Sequence, residues 1–171
     1  MISIELLTAE NFNEHSLDLF ERRQEVKRVY RKTDSGYALV DIPYTEDWDI
    51  EKKRQVARDI RSDEYISYIA LDGGAVVGFV GIIKRLNSRY MLLDVIQVSA
   101  PYRSMGIGRK LFALAKEEAK RAGAAALYIS ACSSEETIAF YTAMGTEPAN
   151  PIIREIAEGE PFDLQLMCRV D

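Results

Sequence analysis

The stretch Val95-Ile-Gln-Val98-Ser-Ala-Pro-Tyr-Arg103-Ser-Met-Gly106-Ile-Gly108-Arg109 sets two glycines and two arginines between an apolar run and an amphipathic one. Ile107, Leu111, Leu114 and Ala115 then recur at helical spacing, so a helix opens at the glycines. A helix N-terminus carries unpaired N–H groups and partial positive charge. Gly106 and Gly108 leave those donors uncovered, and Arg103 and Arg109 add charge-assisted partners. In chemical terms this is a diphosphate cradle. The glycines can equally serve a tight turn. Two other phosphate cradles are excluded. No G-x-x-x-x-G-K-[ST] string occurs, and Leu111 stands where a dinucleotide fingerprint needs its third glycine.

The other chemistry-bearing residues are few. There is one histidine, His15, and two cysteines, Cys132 and Cys168, with no C-x-x-C pair. No metal site, disulfide framework or histidine triad is expected, so a general base has to be a carboxylate, a tyrosine or water. The net charge of −5, from 27 acids against 22 bases, argues against nucleic acid and favours a cationic ligand. The longest apolar run, Ala75 to Ile83, is too short to span a bilayer, so no membrane partner is expected. Met1 to Leu7 lacks the basic start and long apolar run of a signal peptide, and a cytoplasmic location is expected.

Several elements must position that loop. Residues 1–171 suit one domain. Ile2 to Leu7 reads as a strand and Ala9 to Val26 as a helix with Thr8 at its N-cap. Tyr30 to Tyr44 reads as irregular, with turns at Asp34-Ser-Gly36 and Pro43. Trp48 to Arg61 is predicted helical, capped by Thr45 and Asp47. Tyr65–Leu71 and Ala75–Lys84 flank Asp72-Gly-Gly74, a strong hairpin signal, and Tyr90–Val98 is a further strand. Gly123 closes the helix after Gly106. Ala125–Ile129 is a short strand, and Ser133-Ser-Glu-Glu136 has the spacing of a capping box opening a helix that ends before Gly145. Phe162–Val170 is a last strand. The basic run Arg22, Arg23, Lys27, Arg28, Arg31, Lys32 is expected on a solvated helix face. The order defines a mixed α/β (α+β) domain.

Arg103-Ser-Met-Gly106-Ile-Gly108 resembles the acetyl-CoA-binding motif Q/R-x-x-G-x-G/A of the GCN5-related N-acetyltransferase (GNAT) family. A second family element, F-Y-x-x-x-G, stands at Phe140-Tyr-Thr-Ala-Met-Gly145. The family's asparagine seven residues before that tyrosine is Ser134 here, and its phenylalanine after the final glycine is Thr146. The resemblance covers about residues 65–149. The string Arg89-Tyr-Met-Leu-Leu-Asp-Val-Ile-Gln-Val98 is similar to streptothricin-type acetyltransferases over one strand.

The resemblance implies a GNAT-type fold. That fold is a central mixed, mostly antiparallel sheet of about six to seven strands, flanked by about four helices and splayed around the cofactor. It implies acetyl-CoA as cosubstrate, held by the backbone of Ile96, Gln97 and Val98, by Arg103, Ser104, Met105, Gly106, Ile107, Gly108 and Arg109, and by Ser134. It implies Tyr141 as general acid and Asp94 as base, acting directly or through water. For Asp94 an ion pair with Arg85 or Arg89 is an equal alternative. Residues 1–64 are expected to shape the acceptor pocket, 65–149 to bind acetyl-CoA and 162–170 to supply a C-terminal strand. There, Tyr44-Thr-Glu-Asp-Trp-Asp49 either holds a cationic amine or caps a helix. The implied function is direct acetyl transfer to a primary amine of a small molecule. A protein or peptide N-acetyltransferase and an inactive acyl-CoA-binding module stand as alternatives, and a homodimer is open.

Overall fold

Strand β1 (Ile2–Leu6) forms as the sequence predicts, but no helix follows it. The computed structural model describes residues 1–170, and in it residues 7–23 run through successive turns. Asn11 Oδ1 accepts from the Thr8 N–H at 2.8 Å, Asn13 Oδ1 from the His15 N–H at 2.8 Å, and Ser16 Oγ from the Asn13 N–H at 2.9 Å. These short polar side chains offer the backbone local partners that compete with helix bonds. Thr8 is therefore not an N-cap.

The rest of the expected helix, with the stretch read as irregular, is a long hairpin of β2 (Gln24–Thr33) and β3 (Gly36–Glu46). A bulge between Val26 and Arg28 leaves the buried Val26 and Val29 three residues apart, which imitates helical spacing. Most of the basic run thus lies on β2 rather than on a helix. Arg28 forms a fork on Glu135, with Nε and Nη2 donating at 2.9 and 2.6 Å. Helix α1 (Ile50–Ile60) is capped by Asp49, whose Oδ1 accepts from the Lys52 N–H at 2.8 Å, and not by Thr45 or Asp47.

The remaining elements are β4 (Tyr65–Asp72), β5 (Ala75–Ile83), β6 (Tyr90–Val98), α2 (Ile107–Arg121), β7 (Ala126–Ala131), α3 (Glu135–Ala143), β8 (Glu147–Pro148), α4 (Arg154–Gly159) and β9 (Leu164–Arg169). The sequence reading did not foresee β8 or α4. Seven strands make one sheet in the order β1-β4-β5-β6-β7-β9-β8, and β2–β3 form a separate sheet. Only the β6–β7 pair is parallel, so the sheet is mixed and mostly antiparallel, as expected.

The sheet buries both faces. Leu111, Phe112, Ala115 and Ala119 of α2 pack on Val80, Ile82, Met91 and Leu127. Val56, Ala57 and Ile60 of α1 join Phe12, Leu17 and Phe20 against Ile69 and Phe79. Two glycines of β5 permit this closeness. A Cβ on Gly78 would lie 2.9 Å from Ile107 Cγ2, and one on Gly81 would lie 2.8 Å from Ile60 Cγ2 and 3.2 Å from Tyr65 Cδ2. Among the described residues no helix is long and apolar enough to cross a membrane.

Candidate active site

β6 and β7 pair only from Tyr90 to Leu92 with Ala126 to Tyr128, although β6 continues to Val98 and β7 to Ala131. Beyond that point the strands separate and a cavity of about 860 Å³ opens between them. The Ser99 N–H donates to Val77 O on the β5 side at 2.8 Å. Alternation along an antiparallel strand then turns the backbone groups of Val98 and Ile96 toward the gap. Gln97 pairs with Phe79 and is among the residues that line the cavity.

The register of β5 with β6 breaks between Gly81/Val95 and Ile82/Leu93, so Asp94 is the extra residue of a bulge. A bulge re-aims its side chain. Asp94 lines the cavity, and its Oδ2 accepts from the Tyr65 hydroxyl at 2.7 Å. It forms no ion pair with Arg85 or Arg89 among the described residues, so that alternative is not what the structure adopts. Burial, and then the Asp94 carboxylate, raise the Tyr65 phenol above its ordinary value, which keeps it a donor.

The loop after β6 passes through a single 3₁₀ turn at Ala100–Tyr102, which the Tyr102 hydroxyl anchors to Asp72 at 2.7 Å. Gly106 occupies the N-cap of α2 at φ +84°, with no side chain capping the first turn, and nothing lies within 4 Å of where its Cβ would be. The first-turn N–H groups are thus unobstructed, as a phosphate cradle requires. Gly108 has a different reason to be glycine: a Cβ there would sit 3.0 Å from Phe140 Cε1. Ser104, at φ 65°, takes the left-handed conformation that non-glycine residues rarely adopt. Met105 is 57% exposed and does not line the cavity, whereas Ser104, Ile107 and Arg109 do.

Arg103 lines the cavity with its side chain already engaged. Its Nε donates to Val98 O at 3.0 Å, Nη1 to Arg23 O at 2.6 Å and Nη2 to Arg22 O at 2.9 Å. The guanidinium therefore ties the end of β6 to the chain entering β2 instead of standing free.

Tyr141 forms the opposite wall. It is 7% exposed, set between Phe112 and Phe140 at centroid distances of 6.2 and 5.3 Å, and it lines the cavity. Burial raises its phenol well above the ordinary value, and nearby Cys132 and Asp163 add to the effect. Ser134 is fully buried as the N-cap of α3. It donates to Thr137 Oγ1 at 2.7 Å and accepts from Gln24 Nε2 at 3.4 Å. Its hydroxyl does not line the cavity.

The structure also brings in residues the sequence reading missed. Arg22 enters from the chain before β2, Gln24 and Glu25 from the start of β2, Ser130 and Cys132 from β7 and its end, and Asp163 from the approach to β9. Glu46, Asp47 and Asp49 are not in the lining. The Asp47 carboxylate accepts from the Trp48 N–H at 2.8 Å, which with the Asp49 cap favours the structural reading of that cluster. The Tyr44 hydroxyl meets Cys132 Sγ at 3.9 Å and is pushed up to about 12, chiefly by burial.

Residues 33–146 match the model of the acetyltransferase (GNAT) family, and the chain belongs to that family, which makes it an acyltransferase. Many solved structures share its fold, among them the following three. Nourseothricin acetyltransferase superposes with a TM-score of 0.74 at 19% identity, over 99% of both chains. A protein of Bacillus anthracis described as a streptothricin acetyltransferase, in complex with acetyl coenzyme A, gives 0.75 at 20% identity, over 100% of this chain and 99% of that one. An aminoglycoside 6'-N-acetyltransferase complexed with coenzyme A gives 0.56 at 15% identity, over 70% and 80%. No curated protein matches the sequence.

Proposed function

We propose that the protein transfers an acetyl group from acetyl-CoA directly to a primary amine of a small molecule, without a metal. The observation that carries this reading is the splayed gap between β6 and β7. It opens at one end on the uncapped start of α2 and is walled by Asp94 on one side and Tyr141 on the other. Two fold relatives with coenzyme A or acetyl coenzyme A bound add support.

Acetyl-CoA supplies the activated thioester. The Ile96 and Val98 backbone pairs with its pantetheine arm as an added strand would, beside Gln97. The N–H groups from Ser104 through Arg109 take the pyrophosphate, with Met105 contributing backbone only and Arg103 holding the loop in shape. Ser134 contributes by starting α3, which carries Tyr141. Asp94 accepts the proton that an ammonium must lose before its nitrogen can attack. The Val98 N–H stabilises the negative charge that develops on the thioester oxygen. As the C–N bond forms and the C–S bond breaks, Tyr141 donates its proton to the departing sulfur. Burial keeps that proton on the phenol until then.

Residues 1–64 shape the acceptor end and 65–149 hold acetyl-CoA. Fold relatives named for streptothricin-type and aminoglycoside acceptors support a small-molecule amine. A screen of acetyl-CoA consumption against pooled small amines tests the reading. Turnover with at least one pool is expected, and coenzyme A binding without any turnover would leave the protein or peptide acetyltransferase and the binding module as the alternatives.

A further inference from the structure

The acetyl-transfer steps leave one buried cation in the cleft unused. Arg22 is 7% exposed and lines the same cavity as Asp94 and Tyr141. Its Nη1 donates to Gln24 Oε1 at 3.3 Å, a long bond, while its Nε is buried with no partner. It is the only buried side-chain nitrogen or oxygen without a partner among the described residues. The guanidinium lies over the Trp48 ring, 5.4 Å from the centroid. It forms no ion pair among the described residues, and Glu46 and Asp47 act on it only at longer range.

An arginine stays protonated in a protein, and a buried charge without a counter-ion is costly. Stacking on Trp48 offsets part of that cost. The placement is also rigid. The Arg103 fork holds the carbonyls of Arg22 and Arg23 and, with the same group, that of Val98. Arg22 is thereby fixed relative to the strand on which the thioester is proposed to lie. The cleft thus presents a guanidinium short of partners on one side and the Asp94 carboxylate on another. A molecule with an amine to acetylate and an anion to place would complement both, and a planar guanidinium fork suits a carboxylate.

We infer that Arg22 binds a carboxylate of the acceptor, so that the substrate class is an amino acid or another carboxylate-bearing amine. This rests on the acetyl-transfer reading of the cleft. It differs from a purely polycationic acceptor, which would place positive charge against Arg22.

The test uses pairs of amines that differ by one carboxylate: L-lysine against cadaverine, and L-ornithine against putrescine. Binding to the full chain saturated with coenzyme A is measured by calorimetry, and turnover with acetyl-CoA by thiol release. The carboxylate-bearing member is expected to bind about ten- to a hundredfold more tightly, the worth of a charge-assisted hydrogen bond. In Arg22→Met that ratio should collapse toward one, and in Arg22→Lys it should be partly kept. Equal or inverted preference, no binding of either member of both pairs, or a ratio retained in Arg22→Met overturns the proposal. Weaker coenzyme A binding in Arg22→Met with an unmoved ratio would give the guanidinium to the cosubstrate and also overturn it. If Arg22→Met does not fold, the wild-type ratio and Arg22→Lys decide. Failure to bind coenzyme A at all would instead sink the acetyl-transfer reading, and this proposal with it.

Discussion

The Tyr65 hydroxyl donates to Asp94 Oδ2 at 2.7 Å across the bulge that separates Asp94 from its neighbours in β6. Gly81, opposite Val95, makes room for the Tyr65 ring, since a Cβ there would come within 3.2 Å of it. One carboxylate oxygen is thus held by a protein donor, and in the proposed reaction the other receives the proton from the acceptor or a water. Asp94→Asn is expected to lower kcat by about a hundred- to ten-thousandfold, the usual worth of a general base. Tyr65→Phe should lower kcat by about tenfold, the lower end for a hydrogen bond to a charged group. Steady-state kinetics check both, and the KM for acetyl-CoA should stay put in each. A change in that KM alone would mean that the pair shapes the cofactor cleft rather than the acceptor end.

Tyr141→Phe removes one oxygen from a buried site and leaves the ring against Phe112 and Phe140. Turnover should fall by about ten- to ten-thousandfold while acetyl-CoA affinity, read by calorimetry, is nearly retained. An undiminished kcat would return Tyr141 to the core.

The same burial makes a pH prediction. The folded value of Tyr141 lies above that of an exposed phenol, about 10, because burial disfavours the phenolate. A raised folded value contributes stability in full below about pH 10 and loses it as pH rises through the folded value. The melting temperature of the wild type should therefore drop above about pH 10, and Tyr141→Phe should drop less. Thermal melts of both proteins across that range measure the difference.

Legibility in the sequence followed the physics of each segment. From Tyr65 to Gly145 the cues were local: Asp72-Gly-Gly74, the glycines before α2, the Ser134 cap. Most elements fall within a few residues of where those cues put them. From Ala9 to Glu46 the deciding factors were not local. Val26 and Val29 imitate a helix because of a bulge that only the pairing with β3 defines. Arg22 and Gln24 reach the cleft because that hairpin crosses the start of α3, where the Tyr30 N–H donates to Ser133 O at 2.8 Å. The bulge at Asp94 likewise depends on register with β5, so the sequence offered the residue and a choice of roles but not its partner Tyr65. Arg103 was legible as a motif residue, yet two of the three carbonyls it holds belong to a segment about eighty residues away in the chain.

Gly108 tests whether the second motif glycine serves packing. A Cβ there would meet Phe140 Cε1 at 3.0 Å. Gly108→Ala is expected to cost about 1–3 kcal/mol by overpacking, and Phe140→Leu to relieve part of that cost. A double-mutant cycle on denaturant stability should give a favourable coupling of about 0.5–3 kcal/mol. Additive effects would mean that Gly108 is glycine for the ligand's sake alone.

Arg103 makes the last prediction, because it joins the two halves of the cleft. Its three donors each end on a backbone carbonyl, on Val98 of β6 and on Arg22 and Arg23 of the chain entering β2. Burial lowers its own value, with Arg22 adding repulsion, yet a guanidinium remains charged at any working pH. Removing it leaves those carbonyls short of a donor, which costs about 1–3 kcal/mol for each one that stays buried. Arg103→Met should therefore lower stability and weaken acetyl-CoA binding together, with acceptor KM rising as well. Arg103→Lys should rescue little, because one ammonium on a flexible stem cannot reproduce a planar fork spanning three carbonyls. A free phosphate-binding arginine would behave otherwise. Its loss would weaken acetyl-CoA binding, spare stability and acceptor KM, and be partly rescued by lysine. Melting temperature, coenzyme A affinity and acceptor KM, measured on both variants, distinguish the clamp from the phosphate ligand.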